Sequence, residues 1–181
     1  MDTDLGMIFG DSAGSEIPSF DDVYRRYFRN VYNYVAFRIN NHHDTEELVS
    51  LVFEKFLRNI ACYNPDLPVE AWLIGIAKNQ VTDYLRKKMR RHFVTLGGLL
   101  QVVSSGRQPD EIAVANENNR TLMLAMARLK DRERQVLSMK FATNLTHAEI
   151  ANILGISTSN VGVTAHRALD KLRSIMKEDG E

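Results

Sequence analysis

Near the C-terminal end, small polar side chains open a segment with helical spacing. Thr158, Ser159, Asn160 and Thr164 lie there with Val163, followed by His166, Arg167 and Lys171. Hydroxyls and amides on the first turns of a helix suit contacts to base edges, and cations further along suit phosphate. A second concentration lies mid-chain, where five basic residues (Arg86, Lys87, Lys88, Arg90, Arg91) fall between Asp83 and His92. Just before it stand Lys78, Asn79 and Gln80, whose amides both donate and accept hydrogen bonds. The formal net charge is zero, yet residues 1–60 hold 10 acidic and 6 basic residues, so the positive charge is local. A local field steers a polyanion better than an average one.

Bond-making chemistry finds little support. His42, His43 and Asp44 are adjacent in sequence, but neighbouring histidines do not share a helix face and no second ligand group follows at metal-site spacing. They read as a solvated turn before a helix. Glu46 and Glu47 read as residues of a helix's first turn rather than an acid/base pair. No glycine-rich phosphate loop is present, and the one cysteine, Cys62, forms no internal disulfide or thiolate cluster. Neither an enzyme, a cofactor nor a metal is expected. No apolar run approaches the roughly 20 residues that span a bilayer, so membrane insertion is not expected. The first 18 residues are acidic and broken by Gly6, Gly10, Gly14 and Pro18, unlike a secretory signal, and a cytoplasmic protein is expected.

The elements that must position these residues all read as helix. The expected fold is all-α: two small helical domains joined by a flexible linker. A flexible N-terminal segment covers 1–18, a first domain 19–92, the linker 93–110 and a second domain 111–181. The first helix spans about Phe20–Ile39, with Ser19 and Asp22 at its start and Val23, Tyr27, Val31, Tyr34 and Val35 at helical spacing. A second begins after Asp44, with Glu47 as its capping partner and Leu48, Val52, Phe56 and Ile60 as its stripe. Asn64, Pro65 and Pro68 break the pattern, and a third helix resumes near Val69. Gly97, Gly98, Gly106 and Pro109 mark the linker, although Leu99, Leu100, Val102 and Val103 make it more apolar than a free tether. Helical spacing returns around Ile112 and continues through Leu122, Met126 and Leu129.

A helix-turn-helix follows. Thr146 and Glu149 form a capping box before the helix His147–Leu154, Gly155 sits just past its end, and Ser157 caps the next helix. Ala151 is small where the helices cross, and Ile150, Leu154, Ile156 and Val161 supply apolar contacts. In this geometry the start of the second helix enters the major groove of DNA. Gly162 inside that helix costs about 1 kcal/mol relative to alanine. Close backbone approach to DNA and simple tolerance both account for it.

The N-terminal half narrows the reading. Asp44-Thr-Glu-Glu-Leu-Val-Ser-Leu-Val-Phe53, Ala71-Trp-Leu-Ile-Gly-Ile-Ala-Lys-Asn79 and Asp83-Tyr-Leu-Arg86 resemble the second conserved region of extracytoplasmic-function sigma factors. Leu129-Lys-Asp-Arg-Glu-Arg-Gln-Val-Leu137 and the helix-turn-helix resemble their fourth region. Ser50 stands where that family commonly has glutamine. The resemblance implies a subunit of RNA polymerase that selects promoters. Glu46, Glu47, Leu48, Val52 and Phe53 would dock on the clamp helices of core RNA polymerase. Tyr63, Lys78, Asn79, Gln80, Arg86, Lys87 and Lys88 would engage the minus-ten element of promoter DNA and its melted strand. Thr158, Ser159, Asn160, Val163, Thr164, His166, Arg167 and Lys171 would engage the minus-thirty-five duplex. An anti-sigma factor is a further implied partner. Trp72 suits either stacking or a core anchor, and Asn79 either a nucleic-acid contact or a buried amide tying helices together. The rival reading is a helix-turn-helix regulator that does not act as a polymerase subunit.

Overall fold

The computed structural model describes residues 19–95 and 117–178. The expected N-terminal segment, and the linker residues with the restart of helix at Ile112, lie outside the described residues. Among the described residues there are seven α-helices and no strand: α1 Phe20–Ile39, α2 His42–Arg58, α3 Val69–Thr95, α4 Glu117–Ala127, α5 Asp131–Ala142, α6 His147–Leu154 and α7 Thr158–Glu178. A single 3-10 turn, Ile60–Cys62, follows α2. The all-α expectation holds. Helix α3 runs to Thr95, through the expected domain edge at residue 92.

Ser19 caps α1 by accepting the Asp22 backbone N–H at 3.2 Å. Asn40 ends that helix in the left-handed region (φ 51°), which asparagine tolerates better than most residues. The chain therefore turns at once, and α2 starts three residues earlier than the sequence suggests. Asn41, not Asp44, is its cap, accepting the Asp44 N–H at 2.9 Å. Asn and Asp cap about equally well, so position decides between them. His42 and His43 thus lie in the first turn of α2 rather than before it. Each faces a glutamate one turn on, His42 with Glu46 and His43 with Glu47, at 3.5 Å in both pairs.

Helix α1 is the shared element. It packs against α2 and α3 on one side and against α4 and α5 on the other. Val31, Tyr34 and Val35 of α1 are fully buried, as are Val52 and Phe56 of α2 and Leu73, Ile74 and Val81 of α3. In the second unit the same holds for Leu137 and Met139 of α5, Ile150 of α6 and Val161 of α7. Arg38 lies within the seam between α1 and α5, only 3% exposed, with its guanidinium 2.7 Å from the Asp131 carboxylate.

Leu73 has no exposed surface, so its truncation leaves a cavity in the core. Leu73→Ala is expected to lower unfolding free energy by about 2–5 kcal/mol in urea titration. A loss well below 1 kcal/mol would mean that the first unit closes without it.

Candidate nucleic-acid interface

The helix-turn-helix is built as its residues demand. Thr146 accepts the Glu149 N–H at 3.3 Å, and the Glu149 carboxylate accepts the Thr146 N–H at 2.6 Å. Gly155 adopts φ 64°, and the following N–H, of Ile156, closes onto the Ala151 carbonyl at 3.1 Å. The Ser157 hydroxyl accepts the Asn160 N–H at 3.2 Å and so starts α7. Ile150, Ala151 and Val161 are buried between the helices, and Leu154 and Ile156 are half-buried at their edge.

This packing leaves one face of α7 in solvent. Thr158, Ser159, Asn160, Val163, His166 and Arg167 are exposed, and Thr164 is half-exposed with its hydroxyl donating to the Asn160 side chain at 3.0 Å. Arg167 has no ion-pair partner among the described residues, so its guanidinium is available to an incoming anion. His166 lies 3.0 Å from Asp170, which also takes Arg173 at 3.3 Å. Lys171 is engaged within the protein. Its ammonium reaches across to Glu133 of α5 at 3.2 Å, fastening α7 to the unit while the side chain stays 39% exposed. Partial burial acts upward on the Glu133 carboxyl, but hydrogen bonds from the Lys130 N–H and from Lys171 prevail and hold it below the usual range.

The second surface follows α3. Arg86, Lys87, Lys88, Arg90 and Arg91 are exposed and, at about 100° per residue, spread over roughly 200° of the helix surface. The Lys88 ammonium lies 3.0 Å from the Tyr84 hydroxyl, which donates to the Asp44 carboxylate of α2. Burial, then that carboxylate, push the Tyr84 phenol well above its ordinary range, so it stays a donor.

Upstream on α3, Asn79 is exposed, while Lys78 and Gln80 are half-buried. The reading of Asn79 as a buried amide tying helices is thereby removed. Lys78 and Asn79 border a groove of about 370 Å³ with Trp72, Gly75 and Ile76, and the far wall is Glu149, Asn152 and Ile153 of α6. A Cβ at Gly75 would meet nothing within 4 Å, so the groove is open at that point. Trp72 is a core anchor, its ring 5.1 Å from Phe56 and 5.2 Å from Tyr63. Tyr63 is half-buried on that indole, and its hydroxyl donates to the Leu67 carbonyl at 2.5 Å, closing the loop before α3. Its phenol is raised by burial.

The five α2 residues do not form one outward face. Glu46 and Glu47 are exposed, whereas Leu48, Val52 and Phe53 are buried in the core. Those three apolar side chains are spent on packing and offer nothing to a partner in this arrangement. Two apolar residues of α2 face outward: Leu51, 41% exposed beside Ser50 and Glu54, and Leu57, 45% exposed near its C-terminal end. Sequence reading also passed over Arg38 and Glu70. Glu70 is buried and accepts both the Asn30 side-chain amide at 2.7 Å and the Asn144 N–H at 3.0 Å. A polar residue inside an apolar stripe was the available signal. Its partners lie 40 and 74 residues away, where no periodicity reaches.

Two family profiles match the chain: Sigma-70 region 2 over residues 23–91 and Sigma-70 region 4 over residues 125–174. The RNA polymerase sigma factor YlaC of Bacillus subtilis is 30% identical over 166 residues, covering 90% of this chain and 95% of that protein. The ECF RNA polymerase sigma factor BldN of Streptomyces coelicolor is 27% identical over 169 residues, covering 93% of this chain. The chain spans 64% of BldN's length. Among solved structures, the sigma factor RpoE in complex with the anti-sigma factor NepR from Bartonella quintana matches with a TM-score of 0.67 and 19% identity, over 87% of this chain and 98% of that one. CnrH in complex with the cytosolic domain of CnrY matches with a TM-score of 0.63 and 19% identity, over 88% of each chain. Both likenesses concern the fold.

A Cβ added at Gly162 would stand 4.0 Å from the His147 ring, an ordinary van der Waals contact, so a methyl group fits without displacement. Gly162→Ala is therefore expected to stabilise the protein by about 0.5–1 kcal/mol in thermal or urea unfolding. If stability rises while duplex binding falls, the glycine serves close approach to DNA. A destabilised variant would contradict the packing described here.

Proposed function

This chain belongs to the extracytoplasmic-function branch of the sigma-70 family, the RNA polymerase sigma factors, and on that premise we propose how its surfaces divide the work of initiation. Core RNA polymerase is held by the outward face of α2, where Glu46 and Glu47 supply charge and Leu51 apolar contact. Leu48, Val52 and Phe53 act beneath it by holding that face in place. The start of α7 enters the major groove of the minus-thirty-five duplex, with Thr158, Ser159, Asn160, Val163 and Thr164 toward the bases and Arg167 on base edge or phosphate.

Promoter melting has to capture unstacked bases beside a phosphate backbone, which takes a groove, polar edge-readers and nearby cations. Lys78, Asn79 and Gln80 supply the groove and the readers, and Arg86, Lys87 and Lys88 the cations. Tyr63 contributes by shaping the loop that forms the groove's upper end. Regulation by an anti-sigma factor is part of this proposal, supported by the two structural neighbours whose partners are, by their descriptions, an anti-sigma factor and a cytosolic domain. The site of action is the cytoplasm, where the polymerase works. The protein acts by binding and makes or breaks no bond itself.

The observation that carries the reading is the presence, in one chain, of a capped helix-turn-helix with an open reading face and a separate basic helix bordering an open groove. Run-off transcription with sigma-free core polymerase over genomic fragments tests it, with specific start sites as the expected result. Absence of both core binding and new start sites would reduce the protein to a regulator outside the polymerase. In the same assay Arg167→Ala should weaken minus-thirty-five engagement by about 1–3 kcal/mol, while Lys171→Ala should act mainly on stability. Replacing Arg86, Lys87 and Lys88 together with alanine should flatten the salt dependence of promoter binding, because fewer counterions are released. A wild-type slope would remove that cluster from the DNA path.

A further inference from the structure

Helix α1 carries a polar pair that neither the polymerase surface nor the DNA surfaces use. Arg29 and Asn33 lie one turn apart, and Ala36 and Phe37 follow on the same face. That face, the start of α2 and one side of α4 enclose a recess of about 270 Å³, with Leu122 and Met123 as its α4 wall. The volume lies just below the usual range of ligand pockets, so its occupant is small.

The polar end of the recess is unanswered. Neither the exposed Arg29 guanidinium nor the half-buried Asn33 carboxamide has a hydrogen bond or ion pair among the described residues. Their neighbours are already engaged. The Tyr32 hydroxyl lies 2.9 Å from His42 Nδ1, and His42 Nε2 lies 3.5 Å from Glu46, which stands outside the recess. Burial, then the Glu46 charge, raise the Tyr32 phenol, so it keeps its proton. No carboxylate lines the recess among the described residues. A planar guanidinium takes a carboxylate through two parallel hydrogen bonds, and an adjacent amide can donate a third. On an open surface such a pair contributes little. Here half-buried Phe37, Leu122 and Met123 stand beside it and offer apolar contact to whatever carries the charge.

We propose that this recess binds a small monocarboxylic acid with an apolar body of about five to seven carbons, a size set by its volume. The carboxylate lies on Arg29 and Asn33, and the body lies between Phe37 and the Leu122 and Met123 side chains. Helices α1 and α2 precede the 96–116 segment and α4 follows it, so an occupant touches both and holds α4 against α1. A ligand that binds only with α4 in place stabilises that packing by mass action.

The test uses the full chain, isotope-labelled at its methionine methyl groups, with the Met123 signal assigned through Met123→Leu. Sodium hexanoate and sodium benzoate are titrated at constant ionic strength, beside acetate, which lacks the body, and hexanol, which lacks the charge. The Met123 signal should move saturably with both acids, with a dissociation constant on the order of 1 mM, ordinary for a ligand of so few atoms. Acetate and hexanol should bind about tenfold more weakly or worse. Arg29→Gln changes an exposed, unpaired side chain, so it should leave thermal unfolding without ligand unchanged while weakening hexanoate about tenfold. With hexanoate at about ten times its dissociation constant, hydrogen exchange of the α4 amides should slow about tenfold. A Met123 signal that stays in place with both acids, or that hexanol moves as readily as hexanoate, overturns the site. Unchanged hexanoate affinity in Arg29→Gln overturns the placing of the carboxylate, and unchanged α4 exchange at saturation overturns the hold on α4.

Discussion

Arg38 leaves water almost completely, and a charge so placed has to be answered by an opposite charge on whatever packs against it. The answer is Asp131, the first residue of α5, whose own side chain stays largely in solvent. The α1 helix can therefore be covered by the second unit only with the start of α5 set against the end of α1. That register places α5 along α1, and the short connections to α6 and α7 carry the rest of the unit with it. Glu70 repeats the device at a second point, one buried carboxylate answered by groups from two distant segments.

The same division of labour runs through the surfaces that meet nucleic acid. Cations near the cores are tied down, Lys171 to Glu133 and Arg38 to Asp131, where geometry turns charge into position. Cations on the outer faces, Arg167 and the run from Arg86 to Arg91, stand in solvent. Exposed ion pairs contribute little to stability, so such groups lose little by meeting a phosphate instead and their field stays available. Aromatic rings follow the same logic: Trp72 packs on Phe56 and Tyr63 on Trp72 to shape the loop, while Asn79 stays exposed.

Local patterns in the chain foretold much of this. Capping residues at Ser19, Thr146 and Ser157, the glycine at 155 and the apolar stripes each act within four or five residues of themselves, so their outcome is readable from neighbours alone. One local choice failed. Asn41 and Asp44 are both competent caps, and the left-handed turn at Asn40 decided between them. Leu48, Val52 and Phe53 fit a docking motif and a core stripe equally well by type, and only burial tells which role an apolar side chain has taken.

By itself, then, the amino-acid sequence determined the helices, the helix-turn-helix, the basic run and the family, because each depends on short-range spacing and on side-chain chemistry. Tertiary structure alone decided that α1 serves both units, that Arg38 and Glu70 are buried, that Lys171 is a fastener, and that α6 walls the groove beside Asn79. Those outcomes join residues tens of positions apart. A charge acquires its partner there through the packing of whole helices, which leaves no periodic trace along the chain.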